Sequence, residues 1–158
     1  MKVTVKKVSY SNSSDRKILQ ACLQNWFKNP KDLQLTDPRM SYPFDFRKWC
    51  SLSYKEENVR SIVAMDKKWI VAYLSVKIIP EKNQAHLFHL FVDKNFRRQG
   101  YAKSLLNQAE RISKNLSVKN ITLHVNPKND RAIYIYKKFG FIDRGTTARG
   151  SIKMIKEL

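Results

Sequence analysis

Hydrophobic positions along the chain switch between two periods. Val3, Val5 and Val8 suggest a first strand ending near Ser9. Ile18, Leu19, Cys22, Leu23, Trp26 and Phe27 then recur at helical spacing, which predicts an amphipathic helix capped by Ser14 or Asp15 and reaching about Lys28. Residues 29–51 break the pattern. They hold Pro30, Pro38 and Pro43 among Tyr42, Phe44, Phe46 and Trp49, and read as an irregular segment with a short helix near Phe46–Leu52. That is long for a plain connector and marks a functional loop. Two strands follow, near Arg60–Met65 and Trp69–Ile79, joined by a tight turn at Asp66–Lys68. His86–Val92 is apolar on both faces and belongs in the centre of a sheet.

The second half alternates more regularly. Ala102, Leu105, Leu106, Ala109, Ile112 and Leu116 predict a helix over about Gly100–Leu116, and Ile121–Val125 predicts a strand. Asn129 is a good helix cap and Gly140 a good stop, so a helix is expected between them. Phe141–Thr146 and Ser151–Lys156 close the chain as a hairpin-like pair. The whole reads as one α/β domain over residues 1–158, a mixed sheet covered on both faces by helices.

Composition narrows the function. The chain has 158 residues with 42% hydrophobic side chains, which excludes a disordered polymer, and its four glycines and five prolines exclude a collagen-like or linker-like one. No stretch without a charged residue or proline exceeds about ten positions, as between Lys82 and Asp93, too short to span a bilayer. The N-terminal Met1-Lys2-Val3-Thr4-Val5-Lys6-Lys7 lacks the apolar run of a secretory signal, so a cytoplasmic location is expected. Cys22 and Cys50 have no second pair to make a zinc pattern and read as packed thiols, a disulfide being the alternative. The formal charge of +18 is spread over both halves of the chain. Such a field attracts nucleic acid, acidic protein surfaces or a phosphorylated cofactor, and disfavours strongly cationic substrates.

One segment carries local chemistry. Arg97-Arg98-Gln99-Gly100-Tyr101-Ala102 follows a buried strand and opens an amphipathic helix. A helix N-terminus offers unpaired N–H groups and a positive dipole end, small residues admit a bulky anion, and Arg97, Arg98 and Lys103 add charge. The other reading is a tight strand-to-helix turn with solvated arginines.

This segment, as Val92-x4-Arg97-Arg98-x-Gly100-x-Ala102, resembles the acetyl-CoA signature of the GNAT acetyltransferase superfamily. Asn129-x-x-Ala132-Ile133-x-x-Tyr136-x-Lys138-x-Gly140-Phe141 resembles a second block of that family. The likeness is close over residues 80–145. It implies six to seven strands with a splay between two central parallel ones, and acetyl-CoA as cosubstrate without a metal. The pyrophosphate would lie on backbone amides from Arg98 through Gln99, Gly100, Tyr101 and Ala102 to Lys103. Pantetheine would pair with the backbone of Phe91 and Val92, and Asn129 would hold pantetheine or only cap its helix. Tyr136 falls where the family commonly carries the acid that protonates the leaving sulfur.

Acetyl transfer also needs a base for the amine. Three histidines, His86, His89 and His124, lie on two strands expected to be neighbours, and neutral imidazole is available near neutral pH. His124, in Leu123-His124-Val125, resembles the base position of protein N-terminal acetyltransferases; His86 lies fourteen residues before Gly100, where many members carry a catalytic Glu or Tyr. Strand alternation puts His89 on the opposite face from His86 unless a bulge intervenes. Tyr42, Phe44, Trp49 and Tyr73 are candidate walls of an acceptor pocket, which the family shapes from segments like 29–51 and Gly145–Gly150. The expected activity is an N-acetyltransferase acting on a protein or peptide amine, with a small-molecule amine as the alternative. Two readings of another class are a basic RNA-binding module and a CoA-binding sensor without turnover. The chain is expected as a monomer or homodimer, away from membranes.

Overall fold

A computed structural model of the protein describes residues 3–158. Its seven strands are β1 (Thr4–Val8), β2 (Val59–Asp66), β3 (Trp69–Ile79), β4 (Gln84–Val92), β5 (Asn120–Val125), β6 (Ile142–Thr146) and β7 (Ile152–Glu157). They form one sheet in the order β1-β2-β3-β4-β5-β7-β6. Every neighbouring pair is antiparallel except β4 and β5. No helix among the described residues is long and apolar enough to cross a membrane.

Five helices cover the sheet: α1 (Ser13–Trp26), α2 (Pro30–Thr36), α3 (Phe46–Ser53), α4 (Tyr101–Asn115) and α5 (Asp130–Phe139). Leu19, Leu23 and Trp26 of α1, Leu33 of α2 and Trp49 of α3 pack with Val63, Tyr73 and Phe91 on one face. Leu105, Leu106, Ala109 and Ile112 of α4 and Tyr136 of α5 pack on the other, against Ala72, Leu74, Ala85, Leu87, Ile121 and Leu123. Helices on both faces explain why β3 is buried without alternation from Val71 to Val76.

Local chemistry sets the helix ends. Asn12, rather than Ser14 or Asp15, caps α1: its side chain accepts from the Asp15 N–H at 2.9 Å. Ile18 of the predicted apolar face stays exposed. Residues 29–51 are less irregular than expected, because Asn29 accepts from the N–H groups of Lys31 and Asp32 and Pro30 sits in the first turn, which starts α2. Cys22 and Cys50 are free thiols, and burial pushes Cys22 up to about 12.

Two irregularities shape the centre of the sheet. The parallel ladder between β4 and β5 joins only Gln84–Leu87 to Asn120–Leu123. Beyond Leu87, β4 leaves β5, while β5 stays on β7 to Val125. The two parallel strands therefore open into a V. On its other edge β4 carries a bulge: the register with β3 moves from Ser75–Phe88 to Tyr73–Phe91, one residue longer on β4. His89 takes up the extra residue with φ +60°.

Candidate active site

A cleft of about 440 Å³ opens beside the V. His86, Phe88 and His89 of β4, His124 of β5 and the following Asn126 and Pro127 line it, with Asp37 and Arg39 after α2 and Arg149–Ser151 between β6 and β7. The bulge corrects the expectation for His89, which shares the cleft with His86 instead of facing away.

The three histidines have different surroundings. His86 and His124 sit across the parallel pair with ring centroids 4.9 Å apart. His86 Nδ1 lies 2.9 Å from Thr122 Oγ1, which also accepts from Gln84 Nε2 at 3.0 Å. Nδ1 is thereby paired with the Thr122 hydroxyl, and Nε2 has no hydrogen-bond partner among the described residues. Burial, then the neighbouring His124, Lys77 and Lys153, lowers His86 to about 4. His124 is exposed on the cleft wall with neither ring nitrogen hydrogen-bonded among the described residues; burial and Lys153 hold it below the usual imidazole range.

His89 is spoken for. Its Nε2–H donates to Asp37 Oδ2 at 2.7 Å and its Nδ1 accepts from the Tyr54 hydroxyl at 2.6 Å. The Trp49 ring stacks on it at 3.9 Å. Burial lowers its pKa and outweighs the Asp37 hydrogen bond, so a neutral ring bridges the two partners. Burial alone would raise the Asp37 pKa. Hydrogen bonds from His89 and Arg39 overcome this and hold the carboxyl well below its usual range. Arg39 grips it through Nε at 3.0 Å and Nη2 at 2.9 Å.

The turn before α4 is built mainly from backbone. Arg98 and Gly100 both adopt positive φ, +63° and +87°. No backbone carbonyl among the described residues accepts from the Arg97–Gly100 amides, and the first bond into α4 runs from the Ser104 N–H to the Gly100 carbonyl at 3.1 Å. A Cβ on Gly100 would meet no atom within 4 Å, so space lies in front of these amides. Arg97 Nε donates to the Val92 carbonyl at 2.9 Å and its guanidinium lies 5.4 Å from the Phe91 ring centre. Arg98, Gln99 and Lys103 are exposed around the turn.

Tyr136 lies in the other core, on the α4–α5 face of the sheet. Burial raises its pKa, so its hydroxyl keeps its proton. That hydroxyl makes no hydrogen bond with the described residues, which leaves it free to donate. Asn129 caps α5 by accepting from the Ala132 N–H at 3.3 Å.

Residues 21–141, which contain both the turn and the histidine pair, match the model of the acetyltransferase (GNAT) family. The chain belongs to the GNAT family. An uncharacterised N-acetyltransferase of Methanocaldococcus jannaschii is 30% identical over 96 residues, 61% of this chain. The matched region is 39% of that relative's length. The fold also matches the PaiA N-acetyltransferase of Thermoplasma acidophilum, solved in complex with coenzyme A, at TM-score 0.74 and 20% identity over all of both chains. A spermidine N-acetyltransferase of Vibrio cholerae, solved with CoA and spermine, matches at TM-score 0.76 and 17% identity, over 98% of this chain and 95% of the other. At these identities the likeness is one of fold.

The GNAT chain thus brings His86, His89 and His124 to one cleft, while Tyr136 packs in the core on the other face of the sheet, together with Tyr101 at the start of α4. The expected aromatic walls fall elsewhere. Trp49 and Tyr73 are fully buried, Tyr42 is exposed, and Phe44 packs on the α1–α3 core; none lines the cleft. Polar and apolar residues share the lining, and Asp37 and Arg39 within it, like Thr122 beside His86, had no motif to announce them. The alternation of Thr122 and His124 on β5 was the one available signal, since it puts both on the face of His86. Among the described residues no group of three or more His, Cys, Asp or Glu side chains is placed to hold a metal ion.

Proposed function

We propose that residues 1–158 form a single domain that transfers an acetyl group from acetyl-CoA to a protein or peptide amine, preferentially an N-terminal α-amine. The observation that carries this reading is the exposed His124 at the mouth of the V, with free turn amides on the opposite side. The residues present fit the cosubstrate. Unpaired amides from Arg98 to Lys103, with open space before Gly100, suit a pyrophosphate, and the free edge of β4 near Phe91 and Val92 suits an amide-bearing arm. The Val92 carbonyl, held by Arg97, leaves pairing there to the N–H groups. Asn129 serves as a helix cap.

Acetyl-CoA supplies the acetyl group as a thioester. His124 takes the proton of the attacking amine, since both its nitrogens are free. His86 has its Nδ1 occupied by Thr122, so it serves to position the amine beside His124. Tyr136 gives its proton to the leaving sulfur, a role that burial preserves by keeping the phenol neutral. Lys153, which adds to burial in lowering both imidazoles, and Lys77, which acts on His86, also disfavour an ammonium in the cleft. An α-amine, ordinarily near pKa 8, loses its proton there at less cost than a lysine amine near 10.4.

Turnover of a peptide by His124→Ala and Tyr136→Phe tests the assignment. Each variant is expected to lose on the order of 100-fold in kcat while acetyl-CoA still raises its melting temperature. Full turnover in both would overturn the roles. A wild-type melting temperature indifferent to acetyl-CoA would overturn the activity.

A further inference from the structure

The charges around the cleft do not balance. Its lining contains two carboxylates, Asp37 and Glu56, and four cations, Arg39, Lys55, Lys77 and Arg149. Both carboxylates are committed. Asp37 accepts from His89 and from two nitrogens of Arg39, and Glu56 pairs with Lys77 at 3.1 Å. Lys55 and Arg149 have no acidic partner among the described residues. They come from different loops, Lys55 just after α3 and Arg149 at the turn between β6 and β7. No carboxylate in the cleft is therefore free to receive a cation, whereas two cations are free to receive an anion.

We infer that the acceptor is acidic: a peptide whose first few residues after the reactive amine include Asp or Glu, held through Lys55 and Arg149. The inference rests on the peptide-amine reading above and adds its charge. With the amine at His124, side chains that follow it must pass the cleft lining on their way out. A carboxylate there gains both the local charge of the two free side chains and the field of the +18 chain. A basic peptide meets repulsion at both levels. The forked guanidinium of Arg149 matches a carboxylate with two parallel hydrogen bonds, and Lys55 offers a point charge.

The test uses three peptides of equal length with the same N-terminal residue, followed by acidic, neutral amide or basic residues. Acetylation is followed at saturating acetyl-CoA, with the full chain. The acidic peptide is expected to have a KM about tenfold below the neutral one, at similar kcat, and the basic peptide a higher KM than either. In the double variant Lys55→Gln, Arg149→Gln, the acidic-to-neutral ratio is expected to fall towards one. Equal KM values for acidic and neutral peptides would overturn the inference and leave peptide acetylation standing. An unchanged ratio in the double variant would overturn the assignment to these two residues. A protein that binds acetyl-CoA but acetylates none of the three, while turning over small anionic amines, would overturn both the inference and the peptide reading.

Discussion

Burial holds the pKa of His86 well below its ordinary value, and this has a measurable consequence for stability. Its pKa is about 4 when folded against an ordinary 6.5. Between those values the unfolded chain binds the proton that the folded chain refuses, so stability falls as pH drops from 6.5 towards 4. The contribution is roughly 3 kcal/mol over that window. Urea titrations of the wild type and His86→Gln across it are expected to converge at the acid end. Parallel curves would show that His86 is not held neutral. Asp37 acts in a separate window. Its carboxyl is depressed, so what it contributes persists down through the ordinary value of 3.8 and is lost only in stronger acid.

Elements are held in register by a few polar links. The end of α2 reaches β4 through Asp37, which anchors the bulged His89, which in turn receives the Tyr54 hydroxyl beyond α3. Removing the carboxylate by Asp37→Ala leaves the Arg39 charge and the His89 Nε2–H without their partner. The expected cost is about 3 kcal/mol, read as a melting temperature lower by roughly 10 °C. Asp37→Asn retains an acceptor for His89 and is expected to recover part of it. The turn before α4 offers a second test. Gly100 is at φ +87° with empty space beyond it, so Gly100→Ala meets strain but no clash. It is expected to cost about 1 kcal/mol and to shrink the acetyl-CoA-induced rise in melting temperature, because the methyl group enters the space before the free amides. An undiminished rise would place the ligand elsewhere.

For the whole molecule, the charge of +18 has two consequences of opposite sign. Like charges repel within the compact state, so added salt is expected to raise the melting temperature of the ligand-free protein. The same field draws in an anionic cosubstrate, so raising salt from about 50 mM to about 500 mM is expected to increase the KM for acetyl-CoA several-fold. A ligand affinity that ignores salt would mean that contacts to the turn are made without help from the field.

Strands, the helices with strong apolar periodicity and the turn that opens α4 were legible in the sequence alone. So was the membership that the two motif blocks announced. These are short-range properties: the spacing of Leu105, Leu106, Ala109 and Ile112, the cap at Asn129 and the stop at Gly140 act within a few residues. Even α2, which the proline-rich segment concealed, was marked by Asn29-Pro30 at its start. Tertiary structure alone decided the site. The bulge that turns His89 into the cleft exists because β4 pairs with β3 over a mismatched length, and no alternation rule contains it. Asp37 with Arg39, the histidines of β4 and β5, and Arg149 come from separate places in the chain and meet only in the folded cleft. Which charges pair and which stay free depends on those meetings. The sequence by itself therefore determined the net charge and the local turns and caps, and folding determined which side chains share the cleft.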